Sequence, residues 1–85
     1  MNINALRAHL AGTKAFFEKI KSQLLTLEQL RQIKAQNPNQ YLISIMGEKT
    51  PAWKANEDTR AGFVAYVPCT PENERLASLI PTLEE

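Results

Sequence analysis

The chain has 85 residues, 44% hydrophobic and 22% charged, proportions that exclude disorder throughout and predict one compact domain over 1–85. Its formal net charge is only +1 with a pI near 7.9, short of the strongly basic balance expected of a dedicated nucleic-acid binder. A single cysteine, Cys69, and a single histidine, His9, exclude an internal disulfide and fall short of the ligands of a zinc site.

In chain order, residues from about Ile3 to Leu24 have helical periodicity, with Leu6, Leu10, Thr13, Phe17, Ile20 and Leu24 stepping by three or four along one stripe and Phe16 flanking it. Gly12 interrupts the run and marks either a kink or a close approach by another element. The next helix is better marked. Thr26 is placed as N-cap with Gln29 at N3 of a capping box, and Leu25 and Leu30 fall at the two positions of a hydrophobic staple. It runs through Ile33 to about Gln36, because Asn37 before Pro38 is pushed out of the helical region. So short a link predicts an antiparallel or sharply angled helix pair.

"YLISIM", Tyr41 to Met46, reads as a strand with both faces partly buried, since its alternation is weak. "GFVAYV", Gly62 to Val67, reads as a second, with Phe63, Ala65 and Val67 on one face, Val64 and Tyr66 on the other, and Pro68 at its end. A last helix follows: Thr70 at the N-cap, Pro71 at N1, Glu72 and Glu74 at the positive end of the helix dipole, an apolar face of Leu76, Leu79 and Ile80, and Pro81 as terminator. Residues 82–85 read as a frayed acidic tail.

Between the strands lies "GEKTPAWKANEDTRAG", Gly47 to Gly62, which holds the chain's one tryptophan. Long structureless loops are uncommon in compact domains. Thr50 and Pro51 repeat the Thr-Pro start of the last helix, so a short helix from Pro51 to about Glu57 is expected, with Trp53 and Glu57 paired at i, i+4. The fold class that results is α+β: two N-terminal helices, a two-stranded sheet interrupted by a helical insertion, and a C-terminal helix. Antiparallel pairing is preferred, because parallel sheets usually carry more strands and helices on both faces.

Few chemistries survive inspection. "GEKT" lacks the glycine spacing of a phosphate loop. Cys69 and His9 sit in no nucleophile signature, and adjacent acids at Glu57/Asp58 and Glu84/Glu85 read as solvated charge. No enzyme activity, cofactor or metal is expected. The N-terminus lacks a basic region followed by an apolar run and no segment reaches the ~20 apolar residues of a membrane span, so a soluble, cytoplasmic protein without membrane contact is expected.

Binding remains. The leading expectation is a small module that docks onto a larger protein, of the size seen among bacterial or phage regulators, adaptors and inhibitors. Its contact residues would be Trp53, a residue type enriched in binding hot spots, with Lys49, Lys54 and Arg60. The competing reading of Trp53 is an anchor that holds the insertion on the body. The alternative function is nucleic-acid binding. Residues 1–36 carry net +4 and residues 37–85 net −3, and Arg7, Lys14 and Lys21 recur every seven residues along the first helix, ~10 Å apart, with Arg31 and Lys34 on the second. Glu18 interrupts that row, paired at i+4 with Lys14. The bland reading of the row is a solvated flank. A sheet with free edges also raises the expectation of a homodimer.

Overall fold

The computed structural model describes residues 3–81, with Arg60 described by its backbone alone; the acidic tail expected at 82–85 lies outside them. The first helix, α1, spans Ile3–Ile20 and continues as a 3₁₀ turn over Lys21–Gln23. α2 covers Leu27–Gln36 and α3 covers Pro71–Ser78. β1 (Tyr41–Ser44) is central in a three-stranded antiparallel sheet, flanked by β2 (Lys49–Pro51) and β5 (Tyr66–Pro68), while β3 (Thr59–Arg60) and β4 (Phe63–Val64) form a separate two-stranded ribbon. The α+β class stands, with one more strand in the sheet than the sequence suggested.

Local signals place the helix starts. Thr26 Oγ1 accepts from the Gln29 N–H at 3.1 Å and the Gln29 side chain accepts from the Thr26 N–H at 2.9 Å, closing the capping box. Leu25 and Leu30, the staple pair, are both buried in one cluster. Thr70 caps α3 by accepting from the Asn73 N–H, with Pro71 at N1.

The sheet divides the core. Leu42, on one face of β1, packs with Leu25, Leu30, Ala52, Ala55 and Val64. Ile43, on the other face, packs with Phe16, Ile20 and Val67. α2 therefore lies against one face of the sheet and α1 against the other, which corrects the expectation of a helix pair. The cause is the link. Leu25 runs extended along the sheet edge, its N–H donating to Tyr66 O at 3.0 Å and its carbonyl accepting from the Val64 N–H at 2.9 Å, so the chain crosses from face to face without reversing. Burial of β1 on both sides explains its weak alternation, and the Gly62–Val67 alternation holds: Val64 and Tyr66 pack with α2, Val67 with α1.

The helical stripes need adjustment. In α1 the buried residues are Thr13, Phe16 and Ile20, while Phe17 is half-buried and Leu10 is exposed. Gly12 marks a close approach: a Cβ there would lie 2.6 Å from Pro81 Cδ and 3.3 Å from Ile80 Cα. Along α3 and the two residues after it the packed face is Asn73, Leu76, Ala77 and Ile80, and Leu79 is 67% exposed. Steps of three and four from Asn73 trace that face; the more hydrophobic Leu79 lies outside it.

The Thr50-Pro51 helix is overturned. Ser44 accepts at its carbonyl from the Gly47 N–H and donates its N–H to Glu48 O, so a tight turn through Gly47 (φ 85°) sends Lys49–Pro51 back along β1. Proline's fixed φ suits an extended residue as well as a helix start, and Pro51 has ψ 145°. Only one 3₁₀ turn follows, Ala52–Lys54, before Ala55 is extended again. Trp53 and Glu57 do not share a helix.

Candidate interaction surfaces

The Trp53 turn is fastened by its backbone. The Ala52 N–H donates to Gln40 O at 2.7 Å, the Trp53 N–H to Pro38 O at 3.0 Å, and the Ala55 N–H to Ala52 O at 3.1 Å. Ala52 and Ala55 are buried on either side. The indole itself is 60% exposed, so the anchors are the two alanines, and Trp53 is presented outward on a rigid base.

The other residues assigned to this surface disperse. Lys54 is exposed beside Trp53. Lys49, on β2, forms an ion pair with Glu74 of α3; that pair raises the lysine's pKa and holds the Glu74 carboxyl below its usual range. The Arg60 backbone belongs to the ribbon, paired with Phe63. Trp53 and Lys54 are thus contiguous, and Lys49 and Arg60 are held in other elements.

Of the five basic residues singled out on the helices, three are engaged by carboxylates. Arg31 Nε and Lys34 Nζ each lie 2.9 Å from one carboxylate oxygen of Glu57, and Lys34 Nζ also donates to Ala55 O at 2.7 Å. The hydrogen bonds from Lys34 and Arg31 hold the Glu57 carboxyl below its usual pKa, and the arrangement latches the segment after Trp53 onto α2. Lys21 pairs with Glu18 at 2.7 Å and takes the direct contact expected of Lys14, which acts on that carboxylate only as a nearby charge. Arg7 and Lys14 are exposed on α1.

Cys69 and His9 have separate partners. His9 Nδ1 lies 2.8 Å from Pro81 O. Burial, followed by the nearby Glu74 carboxylate, pushes the half-buried Cys69 thiol up in pKa, opposite to what activates a nucleophile. Among the described residues no three His, Cys, Asp or Glu side chains converge as a metal site, and no helix is long and apolar enough to cross a membrane.

The sheet edges are covered or blunted. Leu25 pairs along β5. On β2 the bonded positions alternate, with Glu48 bonded to Ser44 and Ala52 to Gln40, so Lys49 and Pro51 turn their backbone outward, and Pro51 has no N–H to offer another strand.

The sequence reading did not single out an apolar cleft on the α1 side. Phe17 and Leu24 line it from the end of α1 and the link, Ile45 from the end of β1, and Ala61 and Phe63 from the ribbon, with Asp58 alongside. Phe63 is 44% exposed. One signal was available: adjacent Phe16 and Phe17 stand ~100° apart on a helix, so only one of them can sit at the centre of a buried stripe and the other falls toward its margin. Compared with protein-family models, curated proteins and solved structures, the chain finds no significant match in any of the three.

Proposed function

We propose that this chain is a protein-interaction module that docks onto a larger protein through Trp53, with Lys54 beside it at the rim, and acts there as a regulator, adaptor or inhibitor. The observation that carries the reading is the chain's only tryptophan, 60% exposed on a turn fixed by three backbone hydrogen bonds. An indole so placed adds little to the fold. It offers a large apolar area on a base that has already lost its conformational freedom, which lowers the cost of docking.

Affinity capture from the native host lysate, followed by mass spectrometry, tests it. A partner protein should be enriched by the wild type and lost with Trp53→Ala, and that variant should unfold within ~0.5 kcal/mol of wild type, as surface substitutions do. Trp53 fluorescence of the isolated chain should be red-shifted and open to acrylamide. Emission that is blue-shifted and protected from quencher, or capture indifferent to Trp53→Ala, refutes the reading.

A further inference from the structure

The cleft between α1 and the β3–β4 ribbon is a second surface, independent of Trp53. Its lining is almost wholly apolar, with Phe17, Leu24, Ile45 and Phe63 contributed by four separate parts of the chain. Two features distinguish it from an incidental gap in packing.

The first is strain at its lip. The ribbon turns through Ala61 and Gly62, both at positive φ, 54° and 86°, as a two-residue hairpin turn of this hand requires. Glycine or asparagine occupies such positions without penalty, whereas alanine in the left-handed region is strained. Ala61 adds its methyl to the cleft lining, and strained backbone at a surface is an observation from which function is inferred.

The second is charge. Asp58 is the single charged residue among those lining the cleft. Its N–H is taken by Asn56 Oδ1 at 3.0 Å, but among the described residues no ion pair or hydrogen bond holds its carboxylate. Neighbouring Glu57 holds two cations. On the helix side, Lys21 is matched by Glu18. Among the described residues the carboxylates of Glu28, Glu48 and Glu72 are also without an ion pair, but none of them lines the cleft; Asp58 alone sets a carboxylate on the ribbon side of the apolar trough.

The geometry points to a peptide segment of a partner protein as the occupant, one that lays an aliphatic or aromatic side chain between Phe17 and Phe63 and a lysine or arginine against Asp58. Burial of the apolar side chain supplies the affinity, and the cation fixes the register of the segment along the trough.

The test uses short random peptides displayed and selected on the immobilised full chain, then synthesised and titrated by fluorescence anisotropy. Selected peptides should share a large apolar residue at fixed spacing from Lys or Arg. Ala65→Arg, at an exposed position of the lining, should weaken them by tenfold or more. Asp58→Asn should weaken them roughly threefold, the scale of a surface ion pair, and Asp58→Lys should shift selection toward acidic peptides. Both are exposed substitutions, and matched thermal unfolding of the variants verifies the fold. Trp53→Ala should leave these affinities unchanged, so loss of lysate capture and loss of peptide binding are separately readable. Absence of any selected binder, binders with no basic residue, indifference to Ala65→Arg, or loss with Trp53→Ala each overturns the proposal. So does a dimer in sedimentation equilibrium that Ala65→Arg dissociates, since the cleft would then take a second copy of this chain.

Discussion

The side-chain amides of Gln23 and Asn73 bond each other in both directions, Asn73 Nδ2 donating to Gln23 Oε1 at 3.1 Å and Gln23 Nε2 to Asn73 Oδ1 at 3.4 Å. Asn73 Nδ2 also donates to Pro68 O at 2.9 Å. Asn73 is fully buried and every buried side-chain polar atom among the described residues has a partner. The pair ties the 3₁₀ turn that ends α1 to the first turn of α3, fifty residues later in the chain.

Removal of either amide should be costly, because a buried polar group left without its partner loses about 1–3 kcal/mol. Asn73→Ala is expected to destabilise by about 2 kcal/mol in urea unfolding, Gln23→Ala by somewhat less, since Pro68 O still serves Asn73. The double variant should cost less than the sum, with a coupling of about 1 kcal/mol. Strict additivity would show that the two amides do not depend on each other.

Two glycines with the same backbone sign separate steric from conformational cost. Gly47 and Gly62 have φ of 85° and 86°. A Cβ at Gly47 would lie 2.7 Å from Ile80 Cδ1, whereas at Gly62 nothing lies within 4 Å. Gly62→Ala should therefore cost about 1 kcal/mol, the backbone term alone. Gly47→Ala should cost more, by whatever the displacement of Ile80 from its cluster requires. Ala61→Gly, at φ 54°, should move the other way and stabilise by about 0.5–1 kcal/mol. Thermal unfolding of the three variants gives the order directly.

Acid should loosen the latches between elements. Glu18, Glu57 and Glu74 all have carboxyl pKa values lowered by hydrogen bonds from Lys21, from Lys34 and Arg31, and from Lys49 respectively. A carboxyl whose folded pKa lies below its unfolded value of about 4.3 contributes stability that is full above that value and is lost as pH falls through the folded one. Wild type and Glu57→Gln should thus differ in urea midpoint near neutral pH and converge in acid. Added salt should shrink the neutral difference, as it does for exposed pairs. A difference that persists at low pH would assign the effect of the substitution to packing.

The sequence was informative where a short stretch settles its own conformation. The Thr26–Gln29 capping box, the Thr70–Pro71 start of α3 and the stop at Asn37–Pro38 each satisfy or remove backbone groups within a few residues, and each is observed where it was expected. The alternation from Phe63 to Val67 likewise survives, although a bend at Ala65 divides the expected single strand into β4 and β5. The β1–β2 turn was legible in retrospect: Ser44 and Gly47 bracket it between Ile43 and Thr50. The ribbon was harder to see, since Ala61 stands where Asn or Asp usually announces such a turn.

Other features have no local solution. Thr50-Pro51 fits an extended residue pair as well as a helix start, and the Gln40 carbonyl waiting for the Ala52 N–H decided for the strand. The charge row on α1 and α2 looked like one basic face, yet Glu57 and Glu18 engage three of its five members, and no spacing rule connects Glu57 to Lys34. Trp53 could anchor or protrude, and the burial of Ala52 and Ala55 in its place made it protrude. The cleft exists because α1 and α2 lie on opposite faces of the sheet, an outcome of the Leu25 link pairing with Tyr66 and Val64. Caps and turns are short-range and readable from a few residues; exposure and clefts depend on which distant segment covers a side chain, and that is settled only when the whole chain packs.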